Sequence, residues 1–157
     1  MKNINQVEKR IIDFVVALII SGLLLVVLSI VAVLVKCTSK GSILHWSQRA
    51  GENNQPFYMP KFRTMRVDTP VVAAHLLNNP MHYLTPVGQF LRKTSLDELP
   101  QLWCIIKGDM SFVGPRPVVL NEQELIALRT EKGVHRLKPG LTGWAQVNGR
   151  DTLNIVE

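Results

Sequence analysis

The chain has 157 residues, and its 18 lysines and arginines against 12 aspartates and glutamates give a formal net charge of +6. This length provides for one compact domain with an anchor and excludes a second enzyme domain, since a domain needs on the order of 100–150 residues. The charge favours anionic partners such as phosphates, nucleic acid or acidic lipid headgroups, whereas two cysteines, Cys37 and Cys104, exclude a disulfide framework and a zinc ribbon.

The first predicted element is an apolar segment from Phe14 to Val35 that contains no charged residue. As a helix it is long enough to cross about 30 Å of hydrocarbon. It is too long for the apolar core of a signal peptide, and no A-x-A cleavage site follows it. A buried core helix is the remaining alternative, but such a helix rarely stays apolar on every face in a small chain. The sequence therefore predicts a membrane-embedded helix.

Basic residues flank this segment on both sides, with Lys9 and Arg10 before it and Lys36 and Lys40 after it. A helix that simply spans the membrane keeps its basic flank on one side. The symmetry predicts a re-entrant helix that enters the membrane and returns, with both ends in the cytoplasm. Asp13, at the entrance, is acceptable at the interface beside Lys9 and Arg10.

The rest of the chain is predicted to contain short elements joined by tight turns. The fold is therefore expected to be mixed α/β and helix-rich, with a membrane anchor over 1–40 and a small cytoplasmic catalytic domain over 41–157. The expected elements are a strand at Ser42–Trp46, a turn at Gly51–Gln55, an extended segment at Pro56–Met65, helices at Val71–Leu77, Val87–Leu91, Leu96–Ile106 and Glu122–Arg129, and a turn-rich segment from Pro139 to Arg150.

The first chemical motif is Ser95-Leu96-Asp97-Glu98, which has the S-x-x-E spacing of a capping box with Ser95 as the N-cap. Asp97 and Glu98 would then lie in the first helical turn, where the exposed amides stabilise carboxylates and bind phosphate. An ionised aspartate beside a phosphate site can act as a nucleophile in phosphoryl transfer. The structural alternative is that both carboxylates only favour the helix start, and Pro100 could bend this turn or delay the start of the helix.

The second motif is Gly114-Pro115-Arg116-Pro117. Prolines on both sides restrict the backbone of Arg116, so its guanidinium can bind a diphosphate with less loss of entropy than on a mobile loop. The alternative is a rigid connector. Asp109, just before this motif, is a candidate metal or hydrogen-bonding partner.

The remaining basic and polar candidates have weaker signals. Arg150 follows the Asn148-Gly149 turn and is a second candidate anion ligand. Trp144 fits either the protein core or the lipid interface. The basic group Lys61, Arg63 and Arg66 is by default a solvated face. The histidines show no metal-ligand spacing and are interpreted as surface or packing residues; they are His45, His75, His82 and His135.

Together these motifs resemble the bacterial sugar transferase family of monotopic phosphoglycosyl transferases, the group that includes the bacillosamine-phosphate transferase and the undecaprenyl-phosphate galactose and glucose phosphotransferases. The resemblance covers nearly the whole chain. The matching runs, in order, are Lys9-Arg10-x-x-Asp13, Gln48-Arg49-Ala50-Gly51, Lys61-Phe62-Arg63-Thr64-Met65, Ser95-Leu96-Asp97-Glu98-Leu99, Lys107-Gly108-Asp109-Met110-Ser111-Phe112-Val113-Gly114-Pro115-Arg116-Pro117 and the run from Pro139 to Arg150.

The resemblance implies that Asp97 attacks a UDP-sugar, expels UMP and holds the phosphosugar covalently until undecaprenyl phosphate accepts it. Glu98 completes an acidic pair with Asp97, and the two would hold Mg²⁺, which neutralises the diphosphate. The candidate substrate-binding residues are Lys61, Arg63, Arg92, Arg116 and Arg150. The implied location is the bacterial inner membrane with the catalytic domain on its cytoplasmic face, in contact with membrane lipid.

The sequence departs from the family pattern at three points. The family breaks its membrane helix with Ser-Pro where this sequence has Leu25-Val26, which leaves a re-entrant and a straight helix both open. Cys104 replaces a residue that is usually Asn. The family domain continues for some tens of residues beyond the position of Glu157, so a C-terminally shortened copy is expected.

The alternative function is an inactive, membrane-anchored remnant that still binds anions or lipid headgroups. Nucleic acid is not an expected partner, because the aromatic residues are sparse and not interleaved with the basic ones. Homo-oligomer formation and the identity of the sugar are left open.

Overall fold

The computed structural model describes residues 6–70 and 80–148. Short helices and strands follow two N-terminal helices, as expected from the frequent Gly, Pro and Asn residues. The helices are α1 (Gln6–Leu23), α2 (Leu25–Thr38), α3 (Gly88–Thr94), α4 (Leu102–Lys107), α5 (Gln123–Glu131) and α6 (Trp144–Val147), and the strands are β1 (Leu44–Ala50), β2 (Pro56–Phe62), β3 (Ser111–Val113), β4 (Val118–Val119) and β5 (Gly140–Thr142). The expected mixed α/β, helix-rich fold is confirmed.

The chain divides into two compact units, each built from separate stretches of sequence. The first unit contains Met1–Ser21, Ser47–Met59 and Gln101–Glu157, and the second contains Gly22–Trp46 and Pro60–Pro100. The boundary predicted at residue 40 separates a membrane anchor from a catalytic domain. Because it refers to insertion into a membrane and not to these compact units, it stays a prediction.

The core of the first unit joins α1 to α4 and to β2. Ala17 of α1 is fully buried, and it lies in one cluster with Phe57, Met59 and Ile105. The small side chain of Ala17 leaves room for these larger residues to pack closely. Helix α1 is therefore part of a protein core on this side.

Polar side chains also hold α1 within the first unit. Arg10 donates from Nη1 to the carbonyl oxygen of Ile105 at 2.5 Å and from Nη2 to that of Ile106 at 2.7 Å. These carbonyls lie in the last turn of α4, where helical partners are lacking. Lys9 donates to Ser111 Oγ and also to the carbonyl oxygen of Val113. The two basic residues before the apolar segment, from which the re-entrant topology was partly predicted, thus make specific contacts with protein.

Asp13 is buried, and protein groups accommodate its charge. Its Oδ1 accepts a hydrogen bond from the Phe112 amide at 3.3 Å, and Lys9 Nζ lies 3.5 Å from Oδ2. Lys9 is a neighbour, as expected, while Arg10 is occupied with α4. The sequence analysis placed Asp13 at the membrane interface to account for its charge. The contacts with Phe112 and Lys9 now provide a second reason why this carboxylate is tolerated beside the apolar segment.

The core of the second unit packs α2 against α3 and the end of β2. Val31, Val35, Phe62 and Leu91 are each at most 4% exposed. Because Val31 and Val35 are four residues apart, they lie on one face of α2. The apolar residues on the other faces of α2, such as Val33, stay exposed.

The predicted single helix over Phe14–Val35 is instead two helices, with a break at Leu24. No single helix in the described ranges is long and apolar enough to cross a membrane. Helices α1 and α2 together have the length and apolar composition for this, but they are bent by 63° where they meet. Ser21 and Gly22 form a Ser-Gly pair in the last turn of α1, just before the break, and such pairs bend helices without proline. A sharp bend therefore forms even though Leu25-Val26 replaces Ser-Pro.

The strand predictions are largely confirmed. Strand β1 runs from Leu44 to Ala50, four residues further than expected, and lies in the middle of a three-stranded sheet of order β2-β1-β4. The predicted turn after it contains the 3-10 helix Glu52–Asn54, in which Asn53 and Asn54 have positive φ. Strand β2 fills most of the predicted extended segment.

A second, two-stranded sheet fixes the Gly114-Pro115-Arg116-Pro117 segment to the block after Pro139. Strands β3 and β5 pair in parallel, with Ser111 opposite Gly140. A Cβ atom on Gly114 would lie 2.2 Å from the carbonyl oxygen of Lys138, so only glycine permits this backbone approach. The expected turn-rich segment thus contains β5 and α6, while Arg150 lies outside the described residues.

The helix predictions have mixed outcomes. Helices α3 and α5 confirm the predictions at Val87–Leu91 and Glu122–Arg129. The continuous helix expected over Leu96–Ile106 is wrong, because a 3-10 helix at Leu96–Gln101 precedes α4 and contains Pro100, which cannot donate a helical hydrogen bond. The helix expected over Val71–Leu77 lies outside the described residues.

Candidate active site

Asp97 and Glu98 lie in the 3-10 helix Leu96–Gln101, and the predicted capping box does not form. Ser95 has left-handed backbone angles (φ 57°, ψ 16°) and ends α3, whereas an N-cap residue is extended. The Glu98 amide donates to the Ser95 carbonyl oxygen at 3.1 Å. A tight turn, and not the first turn of an α-helix, therefore positions the two carboxylates.

Glu98 forms an ion pair with Lys61, which projects from β2. Lys61 Nζ lies 2.9 Å from Glu98 Oε1, and the two side chains are only 22% and 16% exposed. Because the pair is largely withdrawn from water, solvent screens its attraction less than at a surface. This contact ties the acidic turn to the sheet and puts Lys61 in the site, although the sequence alone favoured a solvated face.

Asp97 is buried, at 7% exposure, among charged neighbours of both signs. Burial raises the pKa of its carboxyl above the ordinary value, and the neighbouring Glu98 raises it further. Lys61, Arg92 and a backbone hydrogen bond lower the pKa and only partly offset the burial. The result is a carboxylate that is more basic than usual and lies next to two cations.

Arg92 is held in the second unit by Thr64, a residue that sequence reasoning missed. Arg92 Nε donates to Thr64 Oγ1 at 3.0 Å, and Thr64 is buried. The sequence did contain a signal for it. Thr64 lies two residues after Phe62 in an extended segment, so its hydroxyl is expected on the same, core-facing side as the Phe62 ring. The candidate site in this unit therefore consists of Asp97, Glu98, Lys61 and Arg92.

Arg63 and Arg66 make other contacts. Arg63 donates to the carbonyl oxygen of Lys40 at 3.1 Å and to Ser42 Oγ at 2.7 Å, so it fixes the connection between α2 and β1. Arg66 pairs with Asp68 at 2.9 Å on the surface, as expected for a solvated face. Within the part of the chain that the structure describes, Arg63 does not contact Asp97 or Glu98. The role of Arg63 in substrate binding stays a prediction.

Arg116 belongs to the first unit, where its backbone carbonyl accepts a hydrogen bond from Arg129 Nη1 at 2.6 Å. Asp109, in the same unit, has its Oδ2 3.0 Å from Lys107 Nζ. Cys104 is also here, fully buried, with its thiol directed at the Tyr58 carbonyl. Burial and the nearby Asp109 raise the pKa of Cys104 to about 11, which makes this residue an unreactive packing group.

The donor set of the second unit fits Mg²⁺ when a substrate phosphate takes part. In the part of the chain that the structure describes, no three His, Cys, Asp or Glu residues form a ready metal cage. Mg²⁺ commonly uses only one or two carboxylates and completes its shell with water and phosphate oxygens. A cation beside Asp97 would offset the burial that raises its pKa. Asp97 and Glu98 are the residues that could hold it.

Comparison with known proteins identifies related sequences over almost the entire chain. The family model described as bacterial sugar transferase matches residues 4–157. The UDP-glucose:undecaprenyl-phosphate glucose-1-phosphate transferase of Escherichia coli is 41% identical over 100% of the chain and 35% of its own length. The UDP-galactose-lipid carrier transferase of Erwinia amylovora is 38% identical over 98% of the chain and 35% of its own length.

A third relative has a length closer to that of the chain. The exopolysaccharide production protein ExoY of Sinorhizobium fredii is 39% identical over 98% of the chain and 74% of its own length. By contrast, the chain spans only about a third of the Escherichia coli protein.

Proposed function

The chain belongs to the bacterial sugar transferase family, and from this we propose that it transfers a sugar-1-phosphate from a UDP-sugar to undecaprenyl phosphate. The observation that carries the proposal is the buried Asp97 beside the Lys61–Glu98 ion pair and Arg92. Both substrates come from the names of relatives, and glucose and galactose are the sugars that those names contain. We propose that the product starts a surface or secreted polysaccharide.

In the first step we propose that a carboxylate oxygen of Asp97 attacks the β-phosphorus of the UDP-sugar. The bond from this phosphorus to the bridging oxygen breaks, and UMP leaves with the electron pair. The raised pKa of Asp97 makes its anion a stronger nucleophile, while Lys61 and Arg92 keep enough of it ionised. Asp97 then carries the phosphosugar as an acyl phosphate.

In the second step a phosphate oxygen of undecaprenyl phosphate attacks the same phosphorus. The bond between phosphorus and Asp97 breaks, which regenerates the carboxylate and yields a polyprenyl-diphosphate-linked sugar. Lys61 and Arg92 lie beside the reacting carboxylate and can stabilise the negative charge of both transition states. Arg63, Arg116 and Arg150 stay candidates for contacts with the nucleotide or its phosphates.

Asp97 and Glu98 are the residues proposed to hold Mg²⁺. When bound, this ion would neutralise the charge of the diphosphate and the charge that develops on the leaving UMP. Glu98 already shares its carboxylate with Lys61, which fixes the orientation of the side chain before substrate binds. Preorganisation of this kind lowers the cost of assembling the charged site.

We propose that α1 and α2 form a re-entrant hairpin in the bacterial inner membrane, with the catalytic residues on the cytoplasmic face. The apolar side chains at the bend support this arrangement, since Leu23, Leu25 and Val26 are 63–76% exposed. Apolar residues clustered at a helix turn are unfavourable in water and favourable in hydrocarbon. Contact with lipid also brings the site to the surface where a polyprenyl phosphate resides.

The decisive experiment measures UMP release by the purified chain in nanodiscs with undecaprenyl phosphate, Mg²⁺ and a panel of UDP-sugars that begins with glucose and galactose. We expect turnover with at least one donor, its loss in Asp97→Asn, and its retention in Asp68→Asn, a matched change at an exposed carboxylate. Mass spectrometry after donor alone should find a phosphosugar on Asp97. A folded chain that turns over no donor would favour the inactive, anion-binding remnant instead.

A further inference from the structure

Two buried threonines lie beside the cationic part of the candidate site. Thr64 follows β2 and Thr85 precedes α3, and the two residues are 6% and 5% exposed. The Thr85 amide donates to the carbonyl oxygen of Thr64 at 2.9 Å, and the Thr85 hydroxyl donates to the same oxygen at 3.3 Å. These bonds connect the end of the sheet to the start of the helix. The backbone of Thr64 is therefore held in place by two donors.

Helix α3 begins directly against the backbone of Thr64. The Gly88 amide donates to the Thr85 hydroxyl at 3.0 Å, and a Cβ atom on Gly88 would lie 2.0 Å from the Thr64 carbonyl oxygen. Only glycine permits so close an approach of a helix to another backbone segment. Arg92 lies one helical turn after Gly88, on the same face of α3. The packing at Gly88 therefore brings the Arg92 side chain to Thr64.

The Thr64 hydroxyl determines which edge of the Arg92 guanidinium is available to a ligand. Arg92 Nε donates to Thr64 Oγ1 at 3.0 Å. A guanidinium can bind an anion through either of two edges, Nε with one terminal nitrogen or the two terminal nitrogens together. Since the hydroxyl already uses Nε, the first edge is occupied. Among the described residues no group accepts a hydrogen bond from the two terminal nitrogens, which leaves the second edge for a ligand.

A threonine holds an arginine without neutralising its charge. A carboxylate at this position would pair with the guanidinium and compete with an anionic ligand, whereas a hydroxyl is a neutral acceptor. Orientation of the cation before the substrate binds also removes part of the entropy cost of binding. Arg92 lowers the pKa of the neighbouring Asp97, so its charge acts on the reacting carboxylate as well. The orientation of Arg92 therefore bears on both the nucleophile and the bound phosphate.

We propose that Thr64 is a positioning residue, which holds Arg92 so that the two terminal nitrogens of its guanidinium face the diphosphate oxygens of a UDP-sugar. This inference rests on the proposed function, in which Arg92 stabilises the charge of the transferred phosphoryl group. It adds a mode of binding, which is end-on through both terminal nitrogens and not side-on through Nε. It also requires a hydroxyl at residue 64, which serine provides and valine does not.

The affinity for UDP-glucose tests this role without the transfer reaction. It is measured by calorimetry on the whole chain in nanodiscs, with EDTA present so that no transfer follows. We expect Thr64→Val to weaken binding about three- to tenfold, because Nε loses its acceptor and the guanidinium can rotate. Thr64→Ser should stay within about twofold of the unmodified chain. Thr94→Val removes an exposed hydroxyl from the same helix and should also stay within about twofold.

A double-mutant cycle with Arg92→Gln separates positioning from a purely structural role. If the effect of Thr64→Val passes through the guanidinium, this substitution should change affinity less than about twofold once Arg92 is replaced. Equal weakening in both backgrounds would show that Thr64 only supports the fold, and this would overturn the proposal. Unchanged affinity of Thr64→Val in the original chain would overturn it as well.

Nuclear magnetic resonance on the unmodified chain decides the question if Thr64→Val fails to fold. With isotopically labelled arginine, and with Arg92→Gln used to assign the signals, the Arg92 Nε–H should exchange slowly with water before and after UDP-glucose is added. Binding should shift the signals of the two terminal nitrogens more than that of Nε. A larger shift at Nε, or loss of its protection in the complex, would show side-on binding and contradict the proposal.

Turnover with Mg²⁺ tests the proposed function separately. In an active chain, kcat/KM should fall about tenfold in Thr64→Val and recover in Thr64→Ser. An active chain in which Thr64→Val and Thr94→Val have the same kcat/KM would contradict the role of Thr64 alone. A folded chain that shows the expected binding cycle but turns over no donor would contradict the proposed function and support the role of Thr64 in binding.

Discussion

Lys61 Nζ and Glu98 Oε1 lie 2.9 Å apart in an ion pair from which water is largely excluded. The two residues are 37 positions apart in sequence, and their contact joins β2 to the turn that carries Asp97. One lysine therefore has two electrostatic effects, since it pairs with Glu98 and also lowers the pKa of Asp97 more than any other neighbour does.

Lys61→Met is expected to destabilise the fold and to shift the acid limb of activity. It leaves the Glu98 carboxylate without this cation in a poorly hydrated place, which should cost about 1–3 kcal/mol of unfolding free energy. Loss of Lys61 also raises the pKa of Asp97, so the rise of kcat/KM should occur at higher pH than in the unmodified chain.

Denaturant unfolding and a pH–rate profile measure these two effects. Lys61→Arg should restore much of the stability, because it keeps a cation at the end of a long side chain. Lys93→Met removes an exposed lysine from α3 and should change the unfolding free energy by less than about 0.5 kcal/mol. Equal effects of Lys61→Met and Lys93→Met would show that the ion pair contributes nothing.

Asp97→Asn is expected to stabilise the fold at neutral pH while abolishing activity. The folded pKa lies above the ordinary value of 3.8, so between the two values the folded chain binds more protons than the unfolded chain. Stability from this group is therefore present at low pH and is lost as the pH rises through the folded pKa. Asparagine carries no charge and avoids this loss.

Thermal unfolding at several pH values provides the measurement for Asp97→Asn. The melting temperature of the variant relative to the unmodified chain should increase from about pH 4 to pH 7. At neutral pH the gain should be of the order of 1 kcal/mol, which corresponds to about 2–4 °C for a chain of this size. A variant less stable than the unmodified chain at pH 7 would contradict the unfavourable burial of this carboxylate.

Arg10→Met should destabilise the first unit although it keeps an aliphatic stem. It removes two hydrogen bonds to the carbonyls of Ile105 and Ile106, which should cost about 1–3 kcal/mol. Arg136→Met makes the same chemical change at an exposed position and serves as the control. Chemical unfolding in nanodiscs would reveal the difference. Equal unfolding free energies of the two variants would show that the hydrogen bonds of Arg10 do not stabilise the chain.

Cys37 provides a native reporter for the proposed re-entrant topology. It is exposed just after the apolar part of α2, whereas Cys104 is buried and has its pKa raised to about 11, so a maleimide should react with Cys37 alone. In intact spheroplasts a membrane-impermeant maleimide should leave Cys37 unmodified, and permeabilisation should allow labelling. Labelling of intact cells would place Cys37 outside and favour a straight span.

The sequence predicted local structure well where one short-range pattern determines it. The turn at Gly51–Gln55 and helix α5 follow from turn residues and apolar spacing within a few positions. The pair Asp97 and Glu98 was found for a similar reason, because two adjacent carboxylates stand out in the sequence. Their shared burial with Lys61 depends on contacts across many positions, and no local pattern encodes it.

Two errors have identifiable physical causes. Ser95 matches the spacing of a capping box, but the end of α3 places it in a left-handed conformation, and Pro100 prevents a regular α-helix from following. A re-entrant helix was predicted from its basic flanks, but the position of the break at Leu24 was not, because hydropathy does not respond to the weak Ser21-Gly22 step.

The contact of Arg10 with Ile105 and Ile106 also constrains the order of events during biosynthesis, since its partners lie 95 and 96 positions later in the chain. At about 5–20 residues per second, roughly 5–20 s of translation separate the first helix from the segment that receives it. Helix α1 thus leaves the ribosome well before α4, to which Arg10 binds, has been made. The hydrogen bonds of Arg10 can therefore form only after α4 has been synthesised, which makes the docking of α1 on α4 a late step in maturation.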